Sequence, residues 1–277
     1  MTRLMGIVNA GPDSFSDRQE AKPFLSLVAR AHELVDAGAA IVDVGGESGR
    51  TDRPPIPVEE EIERVAPVVE RLSEDGVTVS VDTWRAPVAR AALAAGATMI
   101  NDVSALSDPA LAEACAEAGA ALVVTHTRVP PKVKGFPDHD DVVADVIALL
   151  EERAAEAEAR GVPRERLVFD PGMDLGKTPA ESIELLLRLP ELRVLGGPLL
   201  LAVSRKDFVG ALTGRAPAAR DAGTLAAVDR AVAGGADILR VHDVAGVRDY
   251  LAVRAALDGG PPPPGLALPE HLRREAV

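Results

Sequence analysis

Val168-Phe169-Asp170-Pro171-Gly172-Met173-Asp174-Leu175-Gly176-Lys177 is the stretch that decides the fold. A short apolar run over residues 166–169 ends on an acid. Pro171 and Gly172 then turn the chain, and a helical segment follows. Packing alone explains poorly an acid set where a buried strand stops. The same form of strand, polar residue, turn and helix recurs along the chain, which predicts that these ends converge on one pocket.

Working outward, apolar runs predict strands over residues 4–8, 41–44, 77–81, 99–100, 121–124, 166–169, 199–203 and 238–243. Helical spacing of apolar residues predicts helices over 25–37, 59–72, 87–95, 109–118, 142–160, 180–187, 221–233 and 247–257. Eight strands alternating with eight helices imply βαβ units and a parallel sheet. Eight repeats in about 255 residues is the size of a closed (β/α)8 TIM barrel, an α/β fold in a single domain. A doubly wound open sheet carries a Gly-x-Gly-x-x-Gly turn after its first strand, and Asn9-Ala10-Gly11-Pro12 is not that turn. The barrel is expected to fill residues 1–258. Residues 259–265 hold four prolines and read as a linker to a loose tail ending at 277.

In such a barrel the C-terminal strand ends share one rim, where active sites sit. The rim residues are then Asn9, Glu47 to Arg50, Asp82, Asn101, His126, Asp170, Lys206, Arg240 and His242. Asp170 and Asp82 can accept hydrogen bonds from a ligand, and Asn101 can both donate and accept. Their bland readings are turn acid, N-cap and turn-former. Lys206 is a ligand donor or a counter-ion for Asp170. Arg240 and His242, two apart on one strand, face the same side. They suit an anion, or pair with Asp243 or Asp221.

Composition narrows the partners. The formal net charge of −13 argues against a nucleic-acid or anionic-membrane surface. Hydrophobic residues make up 47% and aromatics only 3%, so the core must be built from Ala, Val and Leu. The single cysteine, Cys115, excludes an intramolecular disulfide and fits a reducing cytoplasm. The apolar run near the N-terminus is too short for a signal peptide or a membrane span.

The rim segments also resemble a known family. Met5-Gly6-Ile7-Val8-Asn9 with Pro12-Asp13-Ser14-Phe15-Ser16-Asp17, Asp43-Val44-Gly45-Gly46-Glu47-Ser48 with Arg50, and Ser80-Val81-Asp82-Thr83 are three of its motifs. Ile100-Asn101-Asp102-Val103-Ser104, Asp170-Pro171-Gly172, Gly176-Lys177-Thr178, Ser204-Arg205-Lys206 and Arg240-Val241-His242-Asp243-Val244 follow in family order. Together they resemble the pterin-binding enzymes, most closely the dihydropteroate synthases.

The resemblance implies condensation of 6-hydroxymethyl-7,8-dihydropterin pyrophosphate with 4-aminobenzoate, giving 7,8-dihydropteroate and pyrophosphate in folate biosynthesis. It implies that Asp82, Asn101, Asp170 and Lys206 hold the pterin. Asn9, Arg50, Arg240 and His242 would hold pyrophosphate, with Asn9 reaching Mg2+. The loops of Phe15 and Arg50 would close over the arylamine. Asp82, Lys206, Arg240 and His242 are the expected catalytic groups, in a homodimer. The chain departs from the family pattern at Gly11, Gly49, Thr125, Thr127, Asp174 and Leu175. Those departures keep open a diverged paralogue with another amine or pyrophosphate substrate, or a non-catalytic pterin-binding protein.

Overall fold

The computed structural model describes residues 2–11, 22–47, 53–261 and 264–268. Phe15 and Arg50 lie outside them. Eight strands run as β1 Arg3–Asn9, β2 Ile41–Gly45, β3 Val79–Asp82, β4 Met99–Asp102, β5 Ala121–Thr125, β6 Leu167–Asp170, β7 Leu200–Leu201 and β8 Ile238–Val241. All neighbours pair in parallel, in the order β6-β5-β4-β3-β2-β1-β8-β7. A parallel bridge between Phe169 and Leu199 brings β6 against the start of β7 and closes the ring. The Phe169 N–H donates to the Pro198 carbonyl there at 2.9 Å. The chain is therefore a (β/α)8 barrel.

The helices are α1 Lys22–Asp36, α2 Val58–Glu74, α3 Ala86–Ala94, α4 Ala110–Ala118, α5 Val142–Ala159 and α6 Pro179–Leu187. They continue as α7 Asp207–Thr213, α8 Asp221–Ala233 and α9 Val244–Leu257. Short helix α7 departs from the expected single helix between the last two strands. Gly210 at its centre and its length of seven residues hide its periodicity. The seventh strand is also shorter than expected, because residues 202–206 already turn toward α7. The eighth ends at Val241, one residue before His242.

Parallel strands buried on both faces read as continuous apolar runs. Their outward residues, such as Val42, Val44, Val79 and Val81, pack with the helices in the main core. Their inward residues form a separate cluster of Met5, Ile41, Met99, Val123, Val168, Leu200 and Ile238. This cluster plugs the lower barrel. Two residues further along each strand the same face returns. That next layer holds Ile7, Asp43, Asn101, Thr125, Asp170, Ala202 and Arg240, so the interior changes from apolar to charged within one residue pair.

Candidate active site

Arg240 is the hub of the charged layer. Its Nε donates to Asp43 Oδ2 at 2.6 Å, and Nη2 donates to Asp82 Oδ2 at 2.7 Å. Asn101 Nδ2 donates to the same Asp43 oxygen at 3.1 Å. Strands β2, β3, β4 and β8 thus meet through four side chains. Asp43 is fully buried and the Arg240 side chain is 18% exposed. Buried charge is tolerated only when paired and hydrogen-bonded, and this cluster meets that condition from both sides.

The network corrects one reading of Arg240. It does not pair with Asp243 or Asp221. The Asp243 side chain instead caps α9, accepting the Gly246 N–H at 3.0 Å. Asp221 accepts from Arg205 at 2.8 Å. Arg240 holds two rim carboxylates in place, a task that its expected role as a pyrophosphate ligand did not include.

The electrostatics follow from burial. Burial raises the Asp82 carboxyl to about 7 against the pull of Arg240, with repulsion from Asp43 adding to the rise. Asp170 is also raised: burial outweighs its hydrogen bond from Gly172 and the nearby Lys206, Lys177 and Arg240. Burial works to lower Arg240, but Asp43 and Asp82 hold the guanidinium above its ordinary range. Arg240 thus acts on both Asp82 and Asp170, and Lys206 acts on Asp170. Asn101 Oδ1 and Asp43 Oδ1 are buried acceptors without a hydrogen-bond partner among the described residues. A buried acceptor with no donor is costly, so these two mark where a ligand N–H fits.

Asp170 ends β6 at 5% exposure. Its Oδ1 accepts the Gly172 N–H at 2.7 Å, so the turn reading of this acid is also true. Gly172 is required: its φ is +68°, and an added Cβ would stand 1.9 Å from the His126 carbonyl oxygen. Lys206 does not bond Asp170 directly. Its Nζ donates to the Met173 carbonyl at 2.8 Å. His242 Nδ1 lies 2.9 Å from Ser204 Oγ. Burial, then Arg205, Arg240 and Lys206, push that ring down to about 4. Asp221, itself paired with Arg205, opposes them. Asn9 is exposed at the end of β1.

Two residues that the sequence reading quoted only within motifs, without a role, carry part of the site. Asp43 is the first. An acid inside the apolar run Ile41-Val42-Asp43-Val44, two residues after an inward Ile, was a legible signal for an interior charge. Lys177 is the second. It is 2% exposed. Its Nζ lies 2.8 Å from His126 Nδ1 and 3.1, 3.3 and 3.2 Å from the carbonyl oxygens of Gly172, His126 and Leu175, four acceptors that share its three N–H groups. The protonated Lys177 only donates, and in that state His126 Nδ1 accepts and Nε2 carries the proton toward Asp145 at 2.9 Å. Burial and Lys177 hold His126 down to about 3, and burial holds Lys177 down to about 7. Only the folded chain brings His126 and Lys177 together from 51 residues apart. Asp102, quoted among the motifs, turns away to bond the Ser104 and Leu106 backbone. Thr125, Thr127 and His126 are buried at the end of β5.

A cavity of about 430 Å3 opens beside the rim, with Trp84, Val103, Thr127, Lys134, Asp174 and Leu175 among its walls.

Residues 5–242 match the family described as pterin binding enzyme. The dihydropteroate synthase of Escherichia coli strain K12 is 41% identical over 243 residues, covering 87% of this chain and 86% of that protein. A probable bifunctional folylpolyglutamate synthase/dihydropteroate synthase of Haloferax volcanii is 46% identical over 260 residues. That match covers 92% of this chain but 30% of the archaeal protein, so the chain spans less than a third of this longer relative. The dihydropteroate synthase of Xanthomonas albilineans, solved with 7,8-dihydropteroate, superposes with a TM-score of 0.84 at 44% identity, covering 94% of this chain and 95% of that one. With the motifs in family order on one barrel rim, the chain belongs to the pterin-binding enzyme family, in its dihydropteroate synthase branch.

Proposed function

We propose that this chain condenses 6-hydroxymethyl-7,8-dihydropterin pyrophosphate with 4-aminobenzoate, releasing 7,8-dihydropteroate and pyrophosphate. The observation that carries the reading is the Asp43–Arg240–Asp82 cluster with Asn101, set beside Asp170 and Lys206 at one rim. The dihydropterin edge is rich in N–H donors. Asp82 and Asp170 accept from it, Asn101 turns its open Oδ1 toward it, and Lys206 donates to a ring acceptor. Charge-assisted bonds of this kind are roughly twice as strong as neutral ones. Arg240 keeps two adjacent carboxylates from repelling each other while both stay aimed at the ring.

The reacting C–O bond breaks with its electron pair leaving on pyrophosphate. Positive charge develops at the pterin methylene, and the surrounding carboxylates stabilise it. The arylamine nitrogen then forms the new C–N bond and releases a proton to solvent. No protein nucleophile is required. Cys115 is buried, and burial pushes its thiol up to about 12. The corner of His242, Arg205 and Lys206 receives the departing anion. An arriving phosphate draws the neutral His242 toward its protonated form, which adds charge as the bond breaks.

The family implies Mg2+. The described residues contain no group of three His, Cys, Asp or Glu able to hold a metal. The exposed Asn9 amide oxygen is a hard donor suited to an ion that keeps waters and arrives with substrate phosphates. Asn9 would hold that ion, which when bound neutralises pyrophosphate charge. We place the protein in the cytoplasm on its single reduced cysteine, and as a homodimer on the resemblance alone. No described helix is long and apolar enough to cross a membrane.

A different arylamine is a second reading, open because the wall of the 430 Å3 cavity sets Asp174 and Asp207 beside Lys132, Lys134 and Lys177, a mixed lining that fits more than one charge pattern on the amine. Pyrophosphate release is measured on mixing the protein, pterin pyrophosphate, Mg2+ and either 4-aminobenzoate or uncharged arylamines. Product with 4-aminobenzoate supports the synthase. Product only with other amines supports the second reading. Tight pterin binding without any product overturns both.

A further inference from the structure

We infer that Asp174 is a positioning residue for Lys206, clamping the loop after β6 to the start of α7. This rests on the pterin-site reading of Lys206. Three observations carry it. First, Asp174 has φ +65°, a left-handed conformation that glycine adopts freely and other residues rarely do. Gly172 and Gly176, on either side, have φ +68° and +64°. Glycine therefore fits this turn at every second position, yet the middle one carries a carboxylate. Aspartate is among the few side chains tolerated there, because its short carboxylate bonds locally.

Second, both carboxylate oxygens are engaged. Oδ1 accepts from Ser182 Oγ at 3.1 Å on α6. Oδ2 accepts the Asp207 N–H, the first backbone donor of α7. The N-cap residue of α7 is Lys206, whose side chain makes no capping bond. Asp174 supplies that cap from a loop 33 residues away.

Third, a second bond crosses the same gap in the opposite sense: Lys206 Nζ donates to the Met173 carbonyl at 2.8 Å. Residues 173 and 174 thus grip residues 206 and 207 at adjacent points. Arg205, on the other side of Lys206, is also left-handed at φ +60°, fastened by its N–H to Thr224 Oγ1 at 3.0 Å and by its guanidinium to Asp221. Strained backbone persists where the surroundings over-determine it, and here it brackets one functional cation. Asp174 fixes the base of the Lys206 side chain, and Met173 fixes its tip beside Asp170.

The test has a readout free of substrate. The full-length protein is exposed to an amine-reactive reagent, and the modification rate at Lys206 is followed by peptide mass spectrometry. Asp174→Gly relieves the strained φ but removes the cap, and Lys206 labelling is expected to quicken about fivefold, the worth of one ordinary hydrogen bond. Asp174→Asn keeps an acceptor but loses the charge, and labels at a rate between wild type and Asp174→Gly. Asp207→Pro deletes the N–H donor at a helix position that accepts proline. It also removes the carboxylate that accepts from Arg220 at 2.9 Å, so Asp207→Ala is the control, and Asp207→Pro labels faster than Asp207→Ala by about the factor seen in Asp174→Gly, even if the glycine variant folds poorly. Unchanged labelling in Asp174→Gly, with Asp207→Pro no faster than Asp207→Ala, overturns the clamp. In pterin titrations, Asp174→Gly weakens binding in the wild-type background and adds nothing in Lys206→Ala. An equal loss in both backgrounds means Asp174 acts only through general stability. A wild-type protein that ignores pterin refutes the site reading, while the labelling still decides the clamp.

Discussion

Asp43→Asn is the sharpest test of the charged layer. Asparagine keeps the shape of the side chain and an acceptor for Arg240 or Asn101, but it removes the charge. The bond affected is the 2.6 Å contact from Arg240 Nε. Hydrogen bonds to charged groups contribute about 1.5–3 kcal/mol and neutral ones about 1, so the direct loss is about 1–2 kcal/mol. Removing one partner of a buried ion pair outright costs about 3–5 kcal/mol. Asp82 still pairs with Arg240, and 18% of the guanidinium side chain reaches solvent, so the smaller figure governs. A destabilisation of about 2 kcal/mol lowers the melting temperature of a domain this size by roughly 4 °C.

The same change acts on Asp82 in the opposite direction. Its carboxyl stands at about 7, burial first, with Asp43 among the groups that raise it. A folded value above the unfolded one means that Asp82 favours the native state most below pH 4, and that this contribution is lost as pH rises through about 7. Pterin N–H groups need the ionised carboxylate, so wild-type binding strengthens as pH rises through that range. In Asp43→Asn one repulsion is gone, and the midpoint of pterin binding moves to lower pH. The assay is thermal unfolding paired with pterin titrations from pH 5 to 9. An unchanged melting temperature with an unmoved midpoint refutes the claim that Asp43 and Asp82 share Arg240.

Asp170→Asn removes a buried charged acceptor, and pterin binding is expected to weaken by about 1.5–3 kcal/mol, roughly 10- to 150-fold; a titration with unchanged affinity takes Asp170 out of the site. His126, held down to about 3 by burial and then Lys177, stays neutral in the folded chain while the unfolded chain protonates near 6.5. Its contribution is present above that value and is lost as pH falls toward 3, at up to ~1.4 kcal/mol per pH unit. Because Asp82 pulls the other way between pH 4 and 7, the effect is read as a difference: urea unfolding of His126→Gln loses stability less steeply than wild type from pH 6 to 4, and parallel curves for the two proteins contradict the buried relay.

The barrel was legible in the sequence because its signals are local. Apolar runs such as Leu122 to Val124, helices broken by glycines such as Gly38 and Gly76, and polar residues at each strand end all follow from neighbours in the chain. The boundaries shifted by up to three residues, as at the starts of α1 and α9, wherever a cap or a pairing partner decided them. Helix α7 was missed because seven residues with a central glycine give no period to read. Asp82, Asn101, Asp170 and Lys206 were named from their places at strand ends, and the barrel brings those ends to one rim. What the chain order alone could not give is who pairs with whom. Arg240 has acids next to it in sequence, yet it bonds Asp43 and Asp82, 197 and 158 residues away. Lys177 meets His126, and Asp174 caps a helix it is not part of. Propensity and alternation act over a few residues, whereas the partner of a buried charge is set by which side chains the closed sheet turns inward at the same height.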